Sequence, residues 1–434
     1  MRLNQTFTRR QCLQTLTAGT LAGQLANPVF SLAEEVEAAQ TVKPKPVAAI
    51  ITKYEKRLHG DVIVGKILEG WKQDGGAGPA LRLASMYVDQ SSPDDLGHLM
   101  SVKHNVPVFS TIEETMTLGG NEIQVEGVIS VAEHGNYPWN EKQQHLYPRR
   151  RFFEEITDTF QKYGRVVPVF SDKHLGPVWS DAKWMYDRGC QLNIPMMAGS
   201  SLPVSFRRPE ISLPLGCEIE AAIGIGYSGL DIYGSHTLDC FQSVIERRRS
   251  TQMGVEWVQY LQGDAMWQVM DKGVIRKDVF EAALAVLPKQ GIEPDPRKGP
   301  RNSLFLIQYT DGLLGAIFML PDCVQGISTA IKLKHEPQPL ATYFVEKFLD
   351  NLPHFAYLMK AIERMMHTGR PSYPVERTLL SSGILDRALT SRMQNSEKLM
   401  CPELAINYEA VDYPYAPNPR LDSNPTLPLS EALG

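Results

Sequence analysis

Short apolar runs alternate with amphipathic stretches along the first half of this chain. Val47 to Thr52 is an apolar, β-favouring run, and Asp61 to Leu68 has helical spacing. Leu81 to Val88 predicts a second strand, closed by Asp89, and Asp94 to His104 a helix. Val106 to Phe109 reads as a short strand, and Thr111-Ile112-Glu113-Glu114 as a capping box that opens another helix. Val125 to Val131 is a buried strand ending in Glu133-His134-Gly135, followed by a long amphipathic helix from Tyr147 to Tyr163. Val166 to Phe170 is the next strand. The polar cluster Ser171-Asp172-Lys173-His174 follows it, then a helix with Ser180 as its N-cap. Alternation of this kind predicts an α/β fold with a doubly wound parallel sheet. Its right-handed crossovers bring all the strand ends to one rim.

The second half has a different rhythm. Ile194 to Ala198 and Glu218 to Ile225 are strand-like, and Phe241 to Arg248 is helical. Val255 to Leu261, Asn302 to Tyr309 and Leu313 to Leu320 predict antiparallel strands, the last two joined at the turn signal Thr310-Asp311-Gly312. Phe344 to Thr368 reads as helix, and Tyr373 to Leu380 leads into a helix reaching about Arg392. The expected division is a signal and linker over residues 1–45, a Rossmann-like domain over 46–192, an α+β domain with an open, mainly antiparallel sheet over 193–402, and a proline-bearing tail over 403–434.

Composition narrows the function. With 434 residues, 43% hydrophobic and 21% charged, the chain is long enough for two globular cores. A net charge of −5 offers no basic field for nucleic acid, so a small molecule is the expected partner. Thr8-Arg9-Arg10-Gln11-Cys12-Leu13, followed by a weakly apolar stretch to Ala26, resembles a twin-arginine export signal. It predicts a periplasmic or otherwise exported protein with no membrane anchor in the mature form. Five cysteines follow Cys12, widely spaced and without Cys-x-x-Cys, so neither a disulfide framework nor a metal site is expected.

Three chemically loaded strand ends converge on the rim: Asp89, Glu133-His134 and Asp172-Lys173-His174. An acid after the second strand is where dinucleotide folds hold a ribose, and a lysine or histidine at a strand end suits proton transfer. The long polar loop from Glu133 to Arg151 adds Tyr147 and Arg149 as candidates for a sugar pocket. A literal Gly-x-Gly-x-x-Gly occurs at Gly224-Ile225-Gly226-Tyr227-Ser228-Gly229. No βαβ unit closes behind it, so glycines for a tight bend are expected there.

The strand, Thr-Ile-Glu-Glu, strand and helix, followed by Pro168-Val169-Phe170-Ser171-Asp172-Lys173-His174-Leu175 with Ala182 in the next helix, resemble the glucose–fructose oxidoreductase, inositol dehydrogenase and rhizopine-catabolism family (Gfo/Idh/MocA) over about residues 46–400. The family's Glu-Lys-Pro signature stands here as Asp172-Lys173-His174. The resemblance implies NAD or NADP as cofactor, oxidation of a sugar or polyol hydroxyl, in some members glycoside cleavage through transient oxidation, and a homo-oligomer. It gives Lys173, His236 and His134 catalytic candidacy. His236 lies in Gly-x-His-x-x-Asp with Asp239, and the assisting aspartate of the family falls one residue off, at Asp231. Thr52, Tyr54, Asp89, Glu133 and Lys173 fall on the cofactor side; Tyr147, Arg149, Arg207 and Asp239 fall on the substrate side. The first turn departs from the family: Thr52-Lys53-Tyr54-Glu55-Lys56-Arg57 replaces its glycines, which let backbone approach a pyrophosphate. Two expectations follow. Either a dinucleotide sits differently, with Lys53 or Arg57 on its phosphates, or the chain is a cofactor-free carbohydrate-binding or structural relative. Gln90-Ser91-Ser92 after Asp89 offers no arginine for a 2′-phosphate, which favours NAD over NADP.

Overall fold

The computed structural model describes residues 43–91, 95–288, 294–346, 349 and 351–417, so the twin-arginine stretch lies outside the described residues. The first half forms β1 (Lys45–Ile51), α1 (His59–Glu69), β2 (Leu81–Val88), α2 (Leu96–His104), α3 (Ile112–Thr117), β3 (Val128–Val131), α4 (Arg149–Tyr163), β4 (Val169–Asp172), α5 (Trp179–Gln191) and β5 (Met196–Gly199). The five strands make one parallel sheet in the order β2-β1-β3-β4-β5. β3, β4 and β5 are buried at every residue, because helices cover both faces of such a sheet. α4 turns Phe152, Phe153, Ile156 and Phe160 into that core. Thr111 caps α3 as expected, its Oγ1 accepting from the Glu114 amide at 3.1 Å.

The second half forms β6 (Arg207–Arg208), β7 (Ile219–Gly226), α6 (Ile232–Ile245), β8 (Val255–Gln262), α7 (Asp264–Asp271), α8 (Lys277–Ala285), β9 (Ser303–Tyr309), β10 (Leu314–Met319), β11 (Ile327–Leu333), β12 (Leu340–Phe344), α9 (His354–Thr368), α10 (Glu376–Met393) and β13 (Leu399–Met400). The eight-stranded sheet runs β13-β8-β9-β10-β7-β11-β12-β6, antiparallel except where β10 meets β7. The β9–β10 hairpin closes at Gly312, whose φ of 94° is left-handed.

Several boundaries differ from the sequence reading. α5 begins at Trp179 behind Val178, with no side-chain cap, so Ser180 lies inside the helix. Val106 to Phe109 makes one bridge, Val108 to Met86, rather than a strand. Leu340–Phe344 pairs with β11 and the helix starts only at His354, because sheet pairing decides for aromatic and β-branched residues. α6 begins at Ile232, not Phe241, which places His236 and Asp239 within one helix. The stretch expected to be a tail is packed over its described part. Leu404, Tyr408 and Ala416 are buried, and the Tyr408 hydroxyl donates to Glu246 at 2.9 Å.

Candidate functional site

At the ends of β3 and β4 the rim is a buried charge network. Lys173 Nζ donates to Glu133 Oε1 at 2.8 Å, and Arg149 donates to the other oxygen of the same carboxylate. All three side chains are buried. Burial alone would raise the Glu133 pKa, but Lys173, Arg149 and His59 outweigh it and hold the carboxyl well below its usual range. Asp172 Oδ2 accepts from His59 Nδ1 at 2.6 Å, and the His59 ring meets that of His134 edge-on at 5.1 Å. Burial, then the nearby His59 charge, lowers His134 to about 4, so it is neutral at pH 7. His174 is lowered further, to about 3, by burial and Arg149. Lys173 and His134 both sit at positive φ, 61° and 70°, a conformation side-chain-bearing residues adopt at a cost.

The next strand brings the second group. The Lys173 amide donates to the Gly199 carbonyl at 3.2 Å, and Ser200, one residue on, meets α6. Ser200 Oγ lies 2.6 Å from His236 Nδ1, and the Ser200 amide donates to Asp239 Oδ2 at 2.8 Å. Burial raises Asp239 to about 6 against the pull of Arg377 and the Ser200 amide. Asp231, at the start of α6, accepts from the His145 amide at 2.9 Å, and burial raises it to about 6 as well. Asp231 Oδ1, Asp172 Oδ1 and Arg149 Nε and Nη1 are buried with no hydrogen-bond partner. Buried polar atoms are nearly always paired, so orphans gathered at one rim mark a place where a polar ligand or water belongs.

The structure therefore unites Lys173, Glu133, His134, Tyr147 and Arg149, with Arg149 lying over the Tyr147 ring at 5.1 Å. His236 and Asp239 join through Ser200. Arg207 does not join them: its guanidinium stands 4.1 Å from the Tyr415 ring and 5.2 Å from that of Phe344, and donates to the Pro203 carbonyl. His59 and His145 escaped the sequence reading, because a histidine at a helix start or inside a loop carries no spacing signal; Ser200 escaped for the same reason.

The first turn is filled from within. Thr52 Oγ1 donates to the Glu133 carbonyl at 2.6 Å and ties the ends of β1 and β3 together. Tyr54 is wholly buried in the core beside β1 and α1, and burial drives its phenol far above the ordinary range. In the first turn of α1, the buried Asp61 carboxylate accepts the Arg57 amide at 2.8 Å and lies 3.4 Å from Lys56. A helix N-terminus attracts one anion, and here the chain supplies its own. Asp89 accepts from Tyr87 at 2.5 Å, Tyr137 at 2.7 Å and Arg151 at 2.6 Å, so its oxygens are engaged by protein donors. The residues present do not fit a pyrophosphate in this turn. The later glycines serve packing: a Cβ on Gly226 would stand 2.0 Å from Thr237 Oγ1, and one on Gly224 2.7 Å from Ile317.

Among the described residues, no group of three or more histidine, cysteine or acidic side chains is placed to hold a metal, and no helix is long and apolar enough to cross a membrane. The sequence matches no protein-family model and no curated protein. Solved structures do resemble it. Scyllo-inositol dehydrogenase from Lactobacillus casei with bound NAD(H) and scyllo-inositol shares 12% identity at a TM-score of 0.52, over 82% of this chain and 99% of that one. GenD2 from gentamicin A biosynthesis, in complex with NAD, shares 10% at 0.54, over 83% and 97%. An Agrobacterium radiobacter oxidoreductase with NAD+, L-tartaric acid and magnesium shares 12% at 0.51, over 82% and 98%. At these identities the likeness establishes the fold, and the fold of this chain is that of the Gfo/Idh/MocA-type inositol and sugar dehydrogenases.

Proposed function

We propose that the protein takes a sugar or polyol at the rim where β3, β4 and β5 end, and does so without a dinucleotide. The observation that carries this reading is Asp61: its buried carboxylate occupies the helix N-terminus where a pyrophosphate would need to sit, and like charges exclude one another there. The orphaned atoms of Arg149, Asp172 and Asp231 supply donors and acceptors for hydroxyl groups. Neutral His134, and His236 on Ser200, are groups suited to hydrogen-bond a ligand hydroxyl.

A second reading, NAD(P)-dependent oxidation of a sugar hydroxyl, is favoured by one feature: Lys173 remains at the end of β4, with His134 and His236 nearby. Under it NAD is preferred to NADP, since Gln90 rather than a basic residue follows Asp89. Calorimetric titration of the full chain separates the two. The first reading expects heat from polyols such as scyllo-inositol and none from NAD or NADP; saturable dinucleotide binding would overturn it. Export by the twin-arginine route and homo-oligomer formation are also proposed, the first on Thr8-Arg9-Arg10 and the second on the family resemblance.

A further inference from the structure

A cavity of about 500 Å³ lies at the ends of β7, β8 and β10, a size that suits a small molecule. Its lining includes Asp231, Trp139, Lys142, Arg301 and Arg392. Asp231 links cavity and rim, since its Oδ2 takes the His145 amide while its buried Oδ1 has no partner. The His145 ring in turn stacks on Trp139 at 4.2 Å and 20°, which holds the indole as a flat wall. A carboxylate oxygen awaiting a donor beside a fixed aromatic plane is a combination that suits a sugar ring.

Two of the three cations that line this cavity are ion-paired. Lys142 is matched by Asp386 at 2.9 Å, and Arg301 by Asp322 at 2.7 Å. Arg392 is half-buried and donates to the neutral amide of Gln143 at 3.2 Å; among the described residues no carboxylate lies within ion-pairing distance of it. We infer that the ligand is an anionic sugar, whose carboxylate or phosphate is seated by the Arg392 guanidinium while a ring hydroxyl donates to Asp231 and the ring lies against Trp139. The inference rests on the sugar reading above.

The test is a calorimetric titration of the full chain at pH 7 with D-glucuronate, D-galacturonate and D-glucose 6-phosphate, each against its neutral counterpart. At least one anionic sugar should bind about ten-fold or more tightly than the neutral form, and Arg392→Gln should remove that preference while leaving the neutral sugar's affinity in place. The uronates and the phosphate separate the two anionic groups. Equal binding of neutral and anionic sugars, or a preference that survives Arg392→Gln, would overturn the inference and leave the sugar reading standing. No binding of any sugar would overturn both.

Discussion

Lys173 Nζ and Arg149 share one carboxylate, that of Glu133, and none of the three side chains is open to solvent. Removing the anion strands two buried cations. Glu133→Gln should cost about 3–5 kcal/mol in urea unfolding. Lys173→Met should cost less, because Arg149 still answers Glu133. A Glu133→Gln protein as stable as the parent would show that the network is hydrated rather than sealed.

The glycine-rich stretch at the end of β7 makes a sharper distinction. If it serves packing, Gly226→Ala should destabilise by about 1–3 kcal/mol, since the new methyl meets Thr237. Gly229→Ala, with no atom within 4 Å of its Cβ, should be close to neutral. Paired urea denaturation curves check this, and equal costs at both sites would contradict it.

Asp239 gives a pH signature. Its folded pKa of about 6 lies above the ordinary aspartate value of 3.8, so the folded state holds this proton more tightly than the unfolded one. Its contribution to stability is present below pH 3.8 and is lost as pH rises through 6. Asp239→Asn should therefore stabilise the protein at pH 7 by up to about 3 kcal/mol, an advantage that fades toward pH 4. His174 works in the opposite sense. With a folded pKa of about 3 it favours the fold above pH 6.5 and stops doing so as acid charges the unfolded chain. Between pH 4 and 6 the two oppose each other, so the variant should lose stability more steeply with acid than the parent, converging on it near pH 4. Unfolding curves across pH 4 to 8 read both effects.

Much of this was legible in the chain. The apolar runs ending in Asp89, Glu133 and Asp172 placed β2, β3 and β4 and their shared rim, because a parallel sheet buried on both faces needs such runs. The lysine after β4 and the missing glycines after β1 were both visible. What replaced the glycines was not. Asp61 reads as an ordinary acid in a first helical turn, and only the fold shows it buried against the Arg57 amide. His236 and Asp239 were read within one sequence motif, but the link between them, Ser200, comes from a different strand end. The resemblance put Arg207 on the substrate side, yet the fold sets it against Tyr415 and Phe344.

The most direct test of the central claim is the nucleotide content of the protein purified folded from cells. Denatured and clarified, its supernatant is assayed by mass spectrometry for NAD and NADP against the molar amount of chain. A turn closed by Thr52, Tyr54 and Asp61 predicts no dinucleotide above trace. A stoichiometric amount of either would contradict the account and make hydroxyl oxidation the working function.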